Sequence, residues 1–266
     1  MNPRNAMPAP TPSISIILVC KNPGDHLEVA LASIWAQTAV AVELIVIDGG
    51  SSDGTREWLV ARRAQFAVLV SEPDRGVYDA MNKGLARATG EWVLFLGADD
   101  RLVGDTILSA ALNWMKATES GVCAGEVAYD DGRIYKLRSR VNPLARNFVH
   151  HQGVFYRRSV FTEGGAFDPA FTIMGDYELN LRLWKDRVRF KPLPLRIAAC
   201  GVHGLSDSGS WLGYREEITV RHRYAPAWKC WWWDALSCVR FARKKILRTL
   251  LGGNPRAKRK RREPTF

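Results

Sequence analysis

Residues 71–100 read SEPDRGVYDAMNKGLARATGEWVLFLGADD. Pro73-Asp74-Arg75-Gly76 forms a chain break, the spacing from about Gly76 to Ala88 predicts a helix, and Trp92 to Leu96 is a short apolar run that predicts a buried strand. That strand delivers Asp99 and Asp100 at its carboxyl end. Adjacent carboxylates at such a place suit a hard divalent cation, which takes oxygen ligands and, for Mg²⁺, uses one or two carboxylates plus substrate phosphates. The stretch therefore points to a metal-dependent transferase with a nucleotide-linked donor. A solvated acidic turn after a strand is the plainer alternative.

The same alternation extends toward the N-terminus. Ser13 to Val19 (SISIILV) and Val42 to Ile47 (VELIVI) predict buried strands, and Val68 to Val70 a third, short one. A helix is expected from about Asp25 to Gln37, with Leu27, Ala30, Leu31 and Ile34 on one face. A second helix follows the turn from Asp48 to Thr55, with Ser52 or Asp53 as its N-cap. Apolar strands alternating with helices imply a Rossmann-like, mostly parallel central sheet with helices on both faces. Ligands of such sheets bind beyond the carboxyl ends of the strands. The turns at Lys21-Asn22, Asp48-Gly49-Gly50 and Asp99-Asp100 all fall on that rim.

Toward the C-terminus the texture changes. A helix from about Asp105 to Ala117 precedes two strands, Gly121–Tyr129 and Arg133–Leu137, joined by the turn Asp130-Asp131-Gly132. Val154 to Tyr156 predicts another strand. A helix opened by Met174-Gly175-Asp176 runs to about Lys185, with Leu179, Leu183 and Trp184 toward the core. Mixed strands are expected to extend the sheet and wall an acceptor site.

Composition sets outer bounds. The chain has 266 residues, 47% of them hydrophobic, enough for one large domain and an appendage. Five cysteines without CxxC or zinc-type spacing suggest a reducing compartment and no structural zinc. The Pro-rich segment 1–12 has no apolar core, so it is expected to be disordered rather than a signal peptide. No run approaches the roughly 20 apolar residues that span a bilayer. Of the net charge of +11, residues 221–266 carry +12 and residues 1–220 carry −1. The division expected is therefore 1–12, a catalytic domain over 13–225, and a basic tail over 226–266.

Four segments in this order, SISIILVCKN, ELIVIDGGSSDGT, DRGVYDAMNKGLARATGEWVLFLGADD and HQGVFYRRSVF…GGAFDPAFTIMGDYELNLRL, resemble family 2 glycosyltransferases of the GT-A fold, over about residues 13–206. The resemblance implies transfer of a sugar from a nucleoside diphosphate sugar to an acceptor hydroxyl, with inversion and with Mg²⁺ or Mn²⁺. Ala98-Asp99-Asp100 resembles the family's DXD-type signature, which makes Asp100 the metal ligand and Asp99 a carboxylate near the ribose or metal. Asp48 matches a nucleoside contact, followed here by Gly49 where many relatives have a second acid. Asn22 lies on the donor rim, and Arg75, Asp79 and Asn82 match polar positions of the donor pocket. Asp176 matches the catalytic base, and His203 resembles a late histidine that touches metal or diphosphate in some relatives.

The chemistry fits these residue types. A leaving diphosphate gains charge that a metal offsets, and the attacking hydroxyl loses a proton that a carboxylate accepts. Asp176 suits the base by position, and helix N-cap is its structural alternative. Glu178, two residues on, is expected to point elsewhere and to pair with Arg182 as surface support. His150 and His151, read as strand neighbours, point to opposite faces and so share no metal; His151 or Gln152 is expected in the acceptor wall.

In PAWKCWWWDALSCVRFARKKILRTLL (226–251), Trp228, Trp232, Ala235, Val239, Ile246 and Leu250 share one helical face, while Arg240, Lys244, Lys245 and Arg248 fall on another. With Arg256–Arg262 (RAKRKRR), this predicts a C-terminal amphipathic extension bound to an anionic membrane surface. A helix packed on the enzyme body is the alternative. No RNA-binding motif accompanies the charge, so no nucleic acid partner is expected. Together these residues describe a cytoplasmic enzyme, peripheral on the inner face of the membrane. It would add one sugar to a lipid-linked saccharide in surface polysaccharide synthesis. Two rivals are a nucleotidyltransferase, for which the turn CKNPGD is a poor phosphate loop, and a silent nucleotide-sugar-binding module.

Overall fold

Strand β1 (Ile14–Cys20) is buried along its whole length and forms the centre of the first half of the sheet. It pairs in parallel with β2 (Val42–Asp48) on one side and β4 (Trp92–Gly97) on the other, and β3 (Val68–Ser71) extends β2. The register sets Cys20 beside Asp48, Asp48 beside Ser71, and Val19 beside Gly97. The carboxyl ends that the sequence marks as polar thus meet on one rim. The structure is a computed structural model that describes residues 13–201 and 210–250. Residues 1–12, His203 and the Arg256–Arg262 run lie outside the described residues.

Alternation along β1 splits the core in two. Ile14, Ile16 and Leu18 face α1 (His26–Trp35) and α4 (Ile107–Lys116). Ile17 and Val19 face α3 (Val77–Leu85) and α6 (Gly175–Lys185). Burial of such side chains contributes roughly 1.5–3 kcal/mol each. The period-2 pattern with helices on both faces is the layered α/β arrangement expected from the sequence. Ahead of α2 (Thr55–Ala61), Gly54 takes the cap position with φ +93°, and the Asp53 carboxylate accepts the Thr55 N–H at 3.2 Å.

The second half adds β5 (Asp100–Leu102), β6 (Val122–Tyr129), β7 (Ile134–Tyr135), β8 (Val154–Arg157) and β9 (Phe190–Cys200). The sheet order is β3-β2-β1-β4-β8-β6-β9-β5, with β7 on β6. Here β8 runs antiparallel to β4 and β6, and β5 antiparallel to β9. Strands β4 and β5 are separated by only Ala98 and Asp99, yet they lie in the middle and at the end of that order. The sheet therefore curls back on itself. Asp100 is not in a loop, as the sequence suggests, but is the first residue of a strand. The sequence also hides β9, whose Pro192 and Pro194 argue against a strand; it is accommodated beside a register shift in β6.

Helices α7 (Trp211–Tyr224) and α8 (Ala227–Leu250) close the C-terminal side, and α5 (Ser159–Gly164) backs β8. Two expectations about α6 change. Trp184 is 42% exposed, because it lies some 140° around the helix from Leu179, while Leu181 takes the core position. Glu178 does pair with Arg182, at 3.1 Å, but it is buried rather than on the surface, where the Tyr224 hydroxyl donates to it as well.

The basic tail also has a defined inner face. Fully buried Arg221 of α7 donates to Asp234 at 2.9 Å and to Ser237 at 2.6 Å on α8, and Arg240 of α8 reaches Glu217 of α7 at 2.8 Å. One more α7 carboxylate fixes the start of α6. Glu216 accepts the backbone N–H groups of Thr172, Ile173 and Met174 at 2.8–2.9 Å.

Glu216→Ala would leave these N–H groups without their acceptor. The expected loss is about 2–3 kcal/mol of unfolding free energy, measured by urea denaturation. An unchanged midpoint would show that the clamp contributes nothing.

Candidate active site

The rim begins with two interlocked loops. Asn22, in the left-handed region at φ +47°, accepts the Ser52 N–H through Oδ1 at 2.8 Å, and its own N–H donates to Ser51 Oγ at 2.8 Å. Asp48 is fully buried. Its carboxylate accepts from the Ser51 N–H and hydroxyl and from Ser71 Oγ at 2.6 Å. Burial and the neighbouring Asp48 push the Cys20 thiol up to about 12, so it is a neutral donor at 3.9 Å. Asp48 thus acts within this structure as the knot that joins β1, β2 and β3 at their ends.

Gly49 explains the missing second acid. A Cβ there would lie 2.0 Å from Oδ2 of Asp74, so the Asp74 carboxylate occupies the space a side chain at 49 would enter. Asp74 comes from the loop before α3 and is fixed by the Gly76 N–H at 3.0 Å. Nearby, Arg75 is exposed and pairs with Asp79 at 3.1 Å, which also faces Lys83 at 3.6 Å. Asn82 is engaged on both sides by the Phe167 backbone, donating at 2.8 Å and accepting at 3.0 Å. It pins α3 to the segment that leads into α6.

Asp99 and Asp100 sit at the crease between β4 and β5. Asp99 is exposed, whereas Asp100 is 2% exposed and accepts the Gly97 N–H through Oδ2 at 2.7 Å. Its Oδ1 is buried and has no hydrogen-bond partner. Burial, and then the charge of Asp99, push its pKa up to about 6. A Cβ at Gly97 would come within 2.9 Å of Asp99 Oδ1 and 3.2 Å of Asp100 Oδ2, so only glycine lets both carboxylates fold over the strand end. The orphaned oxygen and the second carboxylate fit a divalent cation completed by donor phosphates. Among the described residues no group of three or more His, Cys, Asp or Glu side chains forms a self-sufficient metal cage.

Asp176, at the start of α6, lines a cavity of about 350 Å³. Its Oδ2 accepts from Asn147 at 2.8 Å and faces His151 Nδ1 at 3.5 Å, and Tyr78 Oη lies 3.4 Å from Oδ1. Burial alone would raise its pKa, but the hydrogen bond and charge of His151 outweigh that and hold it below the usual carboxylate range. Burial likewise opposes protonation of His151, yet Asp176, Asp100 and Asp99 together raise it. One histidine therefore feels the charge of the crease carboxylates as well as that of the α6 carboxylate, and of these three carboxylates Asp176 lines the cavity.

The paired histidines differ from the sequence expectation. They are not strand neighbours: a single 3₁₀ turn at His151–Gly153 stacks their rings at 5.7 Å and 10°. His150 points to Tyr129 and is held neutral by burial and by His151, at about 3. His151 and Gln152 line the cavity with Asp176. Asn147, Tyr78, Asp74, Gly97 and Glu216 were not singled out in the sequence. Their roles depend on contacts across long chain separations, and only the Gly before Ala98-Asp99-Asp100 carried a local signal.

Against known proteins, residues 15–179 match the family described as glycosyl transferase family 2. A PGL/p-HBAD biosynthesis glycosyltransferase of Mycobacterium tuberculosis is 32% identical over 190 residues, 66% of this chain and 71% of that protein. An N-acetylglucosaminyl-diphospho-decaprenol L-rhamnosyltransferase of the same species is 27% identical over 167 residues, 57% of this chain and 53% of that protein. The fold is shared with the mannosyltransferase PcManGT of Pyrobaculum calidifontis, solved with GDP-Man and Mn²⁺, at TM-score 0.61 and 20% identity over 92% of this chain and 82% of that one. The sheet, the crease carboxylates and the match over most of the catalytic region agree: this chain is a glycosyltransferase of the GT-A fold and belongs to glycosyl transferase family 2.

Proposed function

We propose that the enzyme is an inverting, metal-dependent transferase that moves one sugar from a nucleoside diphosphate sugar to a hydroxyl of a lipid-linked saccharide. The observation that carries this reading is His151, which lies 3.5 Å from Asp176 and also feels the charge of Asp100, one of whose oxygens has no hydrogen-bond partner among the described residues. Asp100 and Asp99 hold Mg²⁺ or Mn²⁺, and His203 is a further candidate ligand. The cation supplies charge that stabilises the departing diphosphate. The loops tied by Asp48 and Asn22, with Arg75, Asp79, Asn82 and Asp74, form the donor side. Asp48 and Asn82 act there as positioning residues, since their polar atoms are engaged within the protein.

Asp176 acts as general base. It is ionised at neutral pH and accepts the proton of the acceptor hydroxyl, whose oxygen bonds to the anomeric carbon as the bond to the diphosphate breaks. The electron pair of that bond leaves with the diphosphate. Asn147 and His151 keep the carboxylate aimed into the cavity. The lipid-linked acceptor is supported by the diphospho-decaprenol named for one relative.

The described structure also bears on the membrane reading. Among the described residues no helix is long and apolar enough to cross a membrane. Yet α8 exposes Trp228, Trp231, Trp232, Val239 and Ile246, with Lys229, Arg243 and Lys245 also exposed along the helix. Tryptophan at headgroup depth with flanking cations suits an anionic surface. We assign the enzyme to the inner face of the membrane on this ground, bound peripherally and without a nucleic acid partner. A surface polysaccharide is the expected product class.

Three outcomes follow from this reading. Asp100→Asn is expected to abolish Mn²⁺-dependent binding of a nucleotide sugar by calorimetry. The folded pKa of Asp100 lies above the unfolded value of 3.8, so its carboxylate opposes folding above about pH 6 and stops doing so below about pH 4. The metal-free variant is therefore expected to be more stable than wild type at pH 8 by about 1–2 kcal/mol. Wild-type affinity for Mn²⁺ is expected to fall as the pH drops below about 6. Retained donor affinity in the variant, or a pH-independent metal affinity, would remove Asp100 from the metal site.

Asp176→Asn is expected to bind donor normally and to lose about 10²–10⁴-fold in turnover, followed as release of nucleoside diphosphate. A rate within a factor of a few of wild type would move the base elsewhere. For the membrane, the full chain is expected to sediment with phosphatidylglycerol vesicles, and exchange of Trp228, Trp231 and Trp232 for serine to leave it in the supernatant. Failure of the full chain to sediment would end that assignment.

A further inference from the structure

The segment that delivers Asp176 is gripped by two elements at Ile173. Glu216 of α7 accepts the Ile173 N–H at 2.8 Å, and the Tyr78 hydroxyl of α3 donates to the Ile173 carbonyl at 2.7 Å. The same hydroxyl lies 3.4 Å from Oδ1 of Asp176, the carboxylate whose Oδ2 accepts from Asn147. The Tyr78 ring fits there because residue 175 is glycine. A Cβ at Gly175 would meet three of its ring carbons at 2.7–2.9 Å. Phe167 stacks on the ring with centroids 5.3 Å apart, and Tyr78 is buried. Asn82, one turn later on α3, takes both backbone groups of Phe167. Burial, and then the charge of Asp176, hold the Tyr78 phenol well above its ordinary range, so it is a neutral donor. Tyr78 is also the second residue of α3, just after the loop that carries Asp74 and Arg75. Its neighbour Asp79, about 100° around the helix, pairs with Arg75. One helical turn thus carries a donor-side contact and a contact to the base.

We propose that Tyr78 is a positioning residue for the transfer step: its ring seats on Gly175, its hydroxyl fixes the Ile173 carbonyl, and together they set the aim of the Asp176 carboxylate. The proposal rests on the reading of Asp176 as general base. Tyr78 acts through Asp176 and not on the substrate. Its one proton lies between the Ile173 carbonyl and the carboxylate, an arrangement that favours the charged form of the base. Glu216 and Tyr78 divide the work. Glu216 holds three backbone N–H groups and so contributes to stability, whereas the Tyr78 hydroxyl reaches the carboxylate itself. The base is therefore aimed from the donor half of the sheet as well as from α7.

The test uses the full chain with Mn²⁺, a panel of UDP-glucose, UDP-N-acetylglucosamine, GDP-mannose and dTDP-rhamnose, and decyl-diphospho-N-acetylglucosamine as acceptor. Tyr78→Phe keeps the ring on Gly175 and removes only the hydroxyl. Its kcat for nucleoside diphosphate release is expected to fall about three- to tenfold, with the donor KM unchanged. Loss of a donor to the charged form raises the pKa of a carboxylate, so the acid limb of the kcat profile is expected to move to higher pH. 3-Fluorotyrosine at position 78 keeps ring and hydroxyl but makes the phenol a stronger donor, and is expected to move the limb the opposite way. Carboxyl-¹³C aspartate NMR, with Asp176→Asn to assign the signal, reads the same shifts without any substrate. Besides Tyr78, the titratable groups that act on Asp176 or feel its charge are His150 and His151 of the 3₁₀ turn, Tyr135 of β7 and Tyr156 of β8. Arg146, Glu217, Arg240 and Lys244 share its cavity. All of these are the same in the three proteins, so the shift reports on the phenol.

An Asp176 titration that stays put in Tyr78→Phe, or a kcat equal to that of wild type, overturns the positioning role. A fall in kcat with an unmoved titration and a lower melting temperature makes Tyr78 a packing residue, which overturns it as well. Should Tyr78→Phe fail to fold, the fluorotyrosine protein decides: no downward shift overturns the proposal. Release by wild type with none of the donors counts against the transferase reading, while the NMR titration still reports whether Tyr78 sets the Asp176 carboxylate. Release by wild type together with an unmoved titration overturns the Tyr78 role alone.

Discussion

A carboxylate taken out of water must be protonated, paired or metal-bound, and the architecture around Asp100 forces this choice. The crease between β4 and β5 draws Asp100 into the sheet and gives one of its oxygens the Gly97 N–H, while the other is buried with no geometric hydrogen bond among the described residues and only the Cys200 thiol beside the carboxylate. Burial, with Asp99 beside it, raises its pKa to about 6, so its charge is held there at a cost. The site is therefore incomplete among the described residues, and the proposed cation with donor phosphates would complete it. The rim built by β1, β2 and β3 has the opposite character: Asp48 has every oxygen occupied, so its loops are fixed before any ligand arrives. A rigid frame beside an unsatisfied carboxylate is what a site that binds a charged donor requires.

The other half of the chemistry comes from the C-terminal helices. Asp176 is placed by α6, but the start of α6 is set by Glu216 of α7, which binds the preceding backbone. Helix α7 is in turn latched to α8 through Arg221 and Glu217. The position of the proposed base thus depends on a chain of contacts that ends in the segment with the greatest positive charge. Removing that segment would take Arg240 and Lys244 from the cavity lining and leave buried Arg221 without Asp234 and Ser237, so α8 is structurally continuous with the catalytic region.

Much of this was legible locally. Strand alternation, the rim turns and the helix faces follow from period-2 and period-3.6 patterns, and Glu178 does pair with Arg182. What escaped the sequence depends on distant partners. The burial of Glu178 follows from Tyr224 of α7, the stacking of His150 on His151 from a 3₁₀ turn, and β9 from a neighbour that tolerates its prolines. Trp184 is expected in the core from its apolar type, whereas its angle around α6 turns it to solvent and Leu181 inward. Gly49 reads as a lost acid in sequence, and only the fold reveals that Asp74 fills its space from another loop.

Helix α8 reverses the usual arrangement of a surface helix, which buries its apolar stripe and exposes its charges. Its inner seam is largely polar, running through Cys230, Asp234, Ser237 and Arg240, whereas Trp228, Trp232, Val239 and Ile246 face outward. In water this orientation forgoes the burial of several large side chains, each of which contributes roughly 1.5–3 kcal/mol when fully covered. The ion pairs to α7 hold the helix in the reversed sense, because turning it over would leave Arg221 buried without its partners. The exposed cations along the same helix lie beside this apolar face, and the proposed anionic bilayer would meet both.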